Sequence, residues 1–256
     1  MFSKAISVLI TGVNRGLGLE MVRQMVEIQK PPPRLLFACC RDPDGATHLQ
    51  ALKKEHPDII KIIHLDAADP TSIKQAAAQV GSILGTSGLN LIINNAAVAV
   101  HQSLFDSTPE DMHRSFNTNT IGPMLVIQEF IPFLRAAAKD CGSPGLSCCK
   151  AAVINISTFC SSNELTKESY KEFAVMPYRV SKAALNMLSV CASLELQKHE
   201  ILCAMLHPGW VRTDMGGKDG ELSADESVEG MLHVMSSMTE QHCGTLQDWR
   251  GQTVPW

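Results

Sequence analysis

Short apolar runs alternate with amphipathic segments along almost the whole chain. Val8, Leu9 and Ile10, inside the run Ala5 to Ile10, suit a buried strand, and Leu17, Met21, Met25 and Ile28 then recur at helical spacing. Further strands are expected at Leu35 to Cys40, Ile59 to Leu65, Leu89 to Ile93, Ala152 to Ile156 and Ile201 to Leu206, with a last short one near Gly244 to Trp249. A helix is expected to start near Pro43, where Asp42 is a candidate cap, and Ile73, Ala77, Val80 and Leu84 mark one face of another over 70–84. Thr108 caps a helix reaching about Ala138, with a bend near Gly122-Pro123, before a polar loop from Lys139 to Lys150. Pro177 introduces a helix from Tyr178 to about His199, and the last helix covers 224–238.

Strands that are apolar throughout, each followed by a helix, require right-handed crossovers and a parallel sheet covered on both faces. The expected class is therefore α/β: a single-domain, Rossmann-type, doubly wound parallel sheet of about seven strands over residues 1–256. The chain is long enough for one large domain, and no repeat or composition shift marks a boundary.

Composition narrows the partners more than the chemistry. Apolar residues make up 45% and charged residues 19%, and a net charge of −4 argues against a nucleic-acid surface. The expectation is a soluble, cytoplasmic protein without a membrane span, since Met1-Phe2-Ser3-Lys4 runs straight into the first strand and no apolar stretch approaches about 18 residues. Nine cysteines, an odd number without a secretion signal, point to reduced thiols; Cys39, Cys191 and Cys203 lie in apolar runs as expected buried side chains, and no spacing suits a metal.

The chemistry begins at Thr11-Gly12-Val13-Asn14-Arg15-Gly16-Leu17-Gly18, where three glycines join the first strand to the first helix. Amides in that helix's first turn suit a pyrophosphate, although a glycine turn without a ligand fits the cluster as well. Arg41, at the end of the second strand, and Arg15 in the glycine loop are placed to converge on a ribose 2′-phosphate, so the expected cofactor is NADP(H); Asp42 keeps NAD(H) as the lesser alternative. Asp66 is placed to meet the adenine edge. Tyr178 and Lys182 stand four residues apart on one helix face, and a phenol acting near neutral pH needs a cation beside it. Tyr170 has Ala174 at that offset and does not qualify.

Both motifs together, in this order, resemble the short-chain dehydrogenase/reductase family from about residue 5 to the C-terminus. Thr11 to Gly18 resembles its glycine fingerprint, Asn94-Asn95-Ala96-Ala97 its Asn-Asn-Ala-Gly element, Asn119 its helix asparagine, and Pro208-Gly209 with Thr213 its Pro-Gly segment. Asn14-Arg15-Gly16, Cys40-Arg41-Asp42 and the closing Gly251 to Trp256 look closest to its sniffer-like carbonyl reductases. The resemblance implies cofactor contacts at Gly12, Asn14, Arg15, Gly16, Leu17, Gly18, Arg41, Asp66, Asn94 and Ala96, and again at Tyr178, Lys182, Pro208, Gly209, Val211 and Thr213. It implies hydride transfer to a carbonyl, with Tyr178 as proton donor and Thr158 bonding the same oxygen. Lys182 would hold the nicotinamide ribose and lower the Tyr178 pKa, and Asn119 would hold a relay water.

Two positions depart from the family pattern. Ala97 replaces the element's glycine, and Thr158 stands where a serine is usual, with Ser157, Ser161 and Ser162 close by; the last two read better as loop serines. Thr158 offers the same hydroxyl on a stiffer side chain, which raises the alternative of an NADP-binding sensor or scaffold with weak or no turnover. The segment of 20 positions from Thr158 to Tyr178, Trp210 to about Leu222, and residues near His101 are expected to enclose a modest, partly apolar carbonyl substrate. His101 and His207 read as loop or packing residues. A homodimer through the helices carrying Asn119 and Tyr178 is the assembly the resemblance implies.

Overall fold

Strands β1 (Ser7–Thr11), β2 (Leu35–Cys40), β3 (Ile60–His64), β4 (Leu91–Asn94), β5 (Ala152–Ile156), β6 (Leu202–His207) and β7 (Leu246–Asp248) form one sheet. All pair in parallel, in the order β3-β2-β1-β4-β5-β6-β7. The computed structural model describes residues 6–142 and 144–256; Ala5 and the leader into β1 lie outside the described residues, as does one position of the 139–150 loop.

Alternation along the strands divides the core. Val8, Ile10, Leu36, Ala38, Leu91 and Ile93 face one layer, built by α1 (Gly16–Glu27), α2 (Thr47–Glu55) and α8 (Ala224–Ser237). Leu9, Phe37, Cys39 and Ile92 face the other, where α3 (Pro70–Leu84) and α5 (Gly122–Asp140) supply Ile73, Val80, Phe130 and Leu134. Each of these large side chains is almost fully buried and contributes roughly 1.5–3 kcal/mol. Three helix starts follow from local chemistry. Asp69 accepts from the Thr71 amide before Pro70, and Thr108 with Asp111 and Ser223 with Glu226 form reciprocal capping boxes at α4 (Pro109–Phe116) and α8. The remaining helices are α6 (Thr166–Ser169) and α7 (Met176–Leu196).

The structure corrects four expectations. Asp42 does not cap a helix near Pro43: its carboxylate accepts from the Gly45 amide at 2.9 Å in a turn, and α2 starts only at Thr47. The expected bend at Gly122-Pro123 is a π-helical turn one step earlier, Asn117–Ile121, joining α4 to α5. The joined helical run Pro109–Asp140 is long and apolar enough by length and composition to cross a membrane, contrary to the expectation; here its apolar residues pack into the sheet's second layer. Cys39 and Cys203 are buried as expected, but Cys191 is exposed on the outer face of α7.

Because β1 and β4 are neighbours, crossovers leave them in opposite directions across the sheet. A cleft opens at their carboxyl ends, where no helix covers the strands.

Candidate active site

Glycine builds the cleft floor. Gly12 has φ +70°, and a Cβ there would stand 2.8 Å from the Ala96 Cα; a Cβ on Gly18 would stand 2.2 Å from the Gly12 carbonyl oxygen. The β1 and β4 ends therefore approach more closely than any side chain permits. Asn95 reinforces the approach by donating through Nδ2 to the carbonyls of Thr11 and Gly12 at 2.9 and 3.0 Å. Helix α1 starts beneath this floor with no side-chain cap and no acidic residue in its first turn, so its first amides and dipole are available to an anion.

Gly12, Asn14, Arg15, Gly16, Leu17 and Gly18 line the cleft, with Arg41 and Asp66 at its far side and Ala96, Tyr178, Lys182, Pro208 and Thr213 around the rest. One Asp66 oxygen is fixed by the Ala68 amide at 2.9 Å. Other expected residues lie behind the wall. Asn94 is buried and donates to the Asn155 amide oxygen at 2.8 Å, so Asn95 takes its place at the cleft. Gly209 and Val211 shape the following segment, in which Val211 pairs with Leu222, and neither lines the cleft.

Arg15 lines the same cleft as Arg41, as expected, but is already paired. Rather than standing free beside Arg41, it donates to Asp214 at 2.6 Å across the cleft mouth; both side chains are largely exposed, so the pair contributes little stability. Asp214 and Met215, within the expected 210–222 wall, and Ser157 also line the cleft, whereas Ala67, Val98 and Thr118 are cleft residues that the sequence reading missed.

Tyr178 and Lys182 project from the first turns of α7, and the π turn holds that helix in register. Thr120 donates to the Ser181 carbonyl at 2.8 Å, and Asn119 donates to the Ser181 hydroxyl at 3.0 Å. Asn119 also donates to the Val98 carbonyl at 2.8 Å and accepts from the Val98 amide at 2.9 Å. Both amide hydrogens of Asn119 are thus committed to protein, and the side chain sets the spacing between the β4 end and α7 rather than offering a donor to a relay water. Behind β5, the Asn155 amide donates to Ser189 at 2.7 Å and Asn186 donates to Ser161 at 2.8 Å, tying the helix to the sheet.

Lys182 is buried and donates to the Ile156 carbonyl at 2.6 Å. Desolvation pulls its pKa down to about 7. Its ammonium nitrogen lies 5.9 Å from the centre of the Tyr178 ring. Tyr178 keeps some surface in the cleft, yet burial pushes its phenol well above the ordinary range, Cys160 adds to that rise, and the Thr158 hydroxyl opposes it. Lys182, 5.9 Å from the ring centre, does not offset this rise, contrary to the expected lowering. A phenol raised in this way keeps its proton near neutral pH, and releasing it calls for a nearby cation.

Thr158 lies two residues past the end of β5, capping the 3-10 turn Phe159–Ser161, beside Tyr178. Its Oγ1 accepts from the Cys160 amide at 3.1 Å, which leaves the hydroxyl hydrogen for another acceptor. The neighbouring serines serve the scaffold: Ser161 donates to the Thr158 carbonyl at 2.5 Å, Ser157 to Asn186 at 2.6 Å, and Ser162 accepts from Leu165 at 3.0 Å. His207 is buried against Phe159 with ring centres 5.2 Å apart, and burial brings its pKa down to about 4, so it packs as a neutral ring.

Known proteins share this architecture. A family model described as short chain dehydrogenase matches residues 7–223. An NADPH-bound carbonyl reductase from chicken fatty liver superposes with a TM-score of 0.94 at 45% identity, covering 99% of this chain and 100% of that one. Carbonyl reductase Sniffer of Drosophila melanogaster gives 0.93 at 31% identity over the same shares. The C-signal protein of Myxococcus xanthus is 35% identical over 172 residues, 67% of this chain and 95% of its own length.

Proposed function

The chain belongs to the short-chain dehydrogenase family, and on that premise we propose that it is an NADPH-dependent oxidoreductase that reduces an aldehyde, ketone or quinone to an alcohol. The observation that carries the reading is that Tyr178 and Lys182 line a glycine-floored cleft, with the Thr158 hydroxyl next to the phenol. The uncapped α1 terminus, set against the close-packed glycine floor at Gly12 and Gly18, fits a dinucleotide's pyrophosphate. Arg41 would hold the 2′-phosphate, Asp66 the adenine edge and Lys182 the nicotinamide ribose. The carbonyl reductase from chicken fatty liver, which binds NADPH, supports the same cofactor.

NADPH, when bound, supplies a hydride from nicotinamide C4 to the carbonyl carbon. The chain's own work is at the carbonyl oxygen: Tyr178 gives it a proton as negative charge develops, and Thr158 donates a hydrogen bond to the same atom. Lys182, drawn towards neutrality by burial, regains a partner when a ribose hydroxyl reaches it, and a charged Lys182 favours the phenolate left after transfer.

Arg41 tests the cofactor choice. Arg41→Ala is expected to weaken NADPH binding by about ten- to a hundredfold, the worth of a charge-assisted hydrogen bond. NADH binding should hardly change, and equal losses for both cofactors in a fluorescence titration would place the 2′-phosphate elsewhere.

The restricted Thr158 supports a second reading, an NADP-binding sensor or scaffold with little turnover. The partner we propose is a second copy of the chain. Val180, Ala184, Met187, Cys191 and Leu194 repeat at four- and three-residue steps along α7; Met187 and Leu194 are 56% and 63% exposed. Light scattering should give a dimer's mass.

A further inference from the structure

Arg179, the residue after Tyr178, is 6% exposed, and among the described residues no carboxylate lies within ion-pair distance of it. A guanidinium buried without a counter-charge is costly unless dipoles surround it. Here all of them come from one stretch of chain. Nε donates to the Phe173 carbonyl at 2.9 Å, Nη1 to the Cys160 carbonyl at 3.3 Å and Nη2 to the Ser169 hydroxyl at 3.1 Å. The guanidinium also lies over the Tyr170 ring, 5.4 Å from its centre.

These partners span 160–173, the otherwise irregular segment between Thr158 and Tyr178. The side chains it presents are aromatic: Phe173 meets Phe159 edge-on at 5.7 Å and Trp210 edge-on at 5.0 Å. Phe173 is thus fixed at both ends, its carbonyl by Arg179 and its ring by the two aromatics. The segment has two short helical turns of its own, Phe159–Ser161 and Thr166–Ser169, with local bonds from Leu165 and Thr166 to Ser162, and the Arg179 contacts tie its two ends to α7.

We infer that Arg179 is a positioning residue that holds the 159–175 segment closed as an aromatic wall beside Tyr178, suited to a flat or apolar carbonyl compound. The substrate side rests on the reductase reading, whereas the ordering of the segment rests on the contacts of Arg179 alone. Arginine is suited to the place because its planar fork reaches three oxygens in different directions, and a lysine ammonium can replace only part of that set.

The test compares wild type with Arg179→Met and Arg179→Lys by amide hydrogen exchange over 160–175, by NADPH titration and by steady-state reduction of apolar carbonyls. Arg179→Met is expected to speed exchange in that segment by about tenfold or more and to raise KM by a similar factor. NADPH affinity and kcat should stay within about threefold, and Arg179→Lys should fall between. Should Arg179→Met fail to fold, Ser169→Ala combined with Tyr170→Leu removes two partners without removing the cation, and must move exchange and KM in the same direction. Unchanged exchange in a folded variant overturns the proposal, as does a loss shared equally by KM, kcat and NADPH binding. If wild type reduces no carbonyl while Arg179→Met still loosens 160–175, the reductase reading fails and the role of Arg179 stands.

Discussion

Tyr178→Phe is expected to lower carbonyl reduction by about 10²- to 10⁴-fold in kcat, the usual worth of a positioned general acid. NADPH affinity should change by no more than a few-fold. The replacement keeps the ring and removes only the proton donor, and the surrounding scaffold has other supports. The Asn119 and Thr120 bonds to Ser181 and the Lys182 bond to Ile156 do not involve the phenol oxygen. Single-turnover NADPH oxidation separates the two quantities. Retention of more than a tenth of the wild-type rate would mean that the proton comes from another group, and the buried, neutral His207 is poorly suited to supply it.

Thr158 carries the second large effect. Thr158→Ala should cost about 10²- to 10³-fold in kcat, comparable to deleting one hydrogen bond to a developing oxyanion. Thr158→Ser should stay within a few-fold of wild type, because Oγ1 is already oriented by the Cys160 amide and that bond needs only the hydroxyl. The extra methyl of threonine restricts rotamers, but a rotamer fixed by a backbone hydrogen bond has little freedom left to lose. A rise of a hundredfold or more in Thr158→Ser, from a wild type close to inactive, would favour the sensor reading.

What the sequence revealed depended on how local the cause was. The glycine loop, the cap at Thr108 and the Tyr178–Lys182 pair are set within a few residues, and each lies where the pattern placed it. The sheet was legible because its central strands β1, β2, β5 and β6 are buried along almost their whole length, which a covered parallel sheet accommodates. Features joining distant positions were not. Arg15 meets Asp214 across 199 positions, and nothing in either neighbourhood signals the pairing. The commitment of Asn119 to Val98 and Ser181 likewise depends on how closely β4 and α7 approach. The π turn gave no sign either, since Asn117 to Ile121 fit an α-helix equally well by composition.

Asn94 and Asn95 show the same limit at one-residue resolution. Asn94 ends β4 and Asn95 follows it, and adjacent side chains point to opposite sides, so one enters the network behind the wall and the other the cleft. Cys191 failed for the opposite reason. Its apolar neighbours Val180, Met187 and Leu194 belong to an outward stripe on α7 rather than to the core, and periodicity alone does not separate a buried face from an exposed one.

The most direct measurement of the central claim is stoichiometry: purified protein, NADPH and a panel of quinones, aldehydes and ketones, with NADPH oxidation followed by absorbance and the products identified by mass. The account predicts at least one carbonyl converted to its alcohol with one NADPH consumed per molecule, and no conversion above background in Tyr178→Phe. Saturable NADPH binding with no carbonyl reduced across the panel would contradict it.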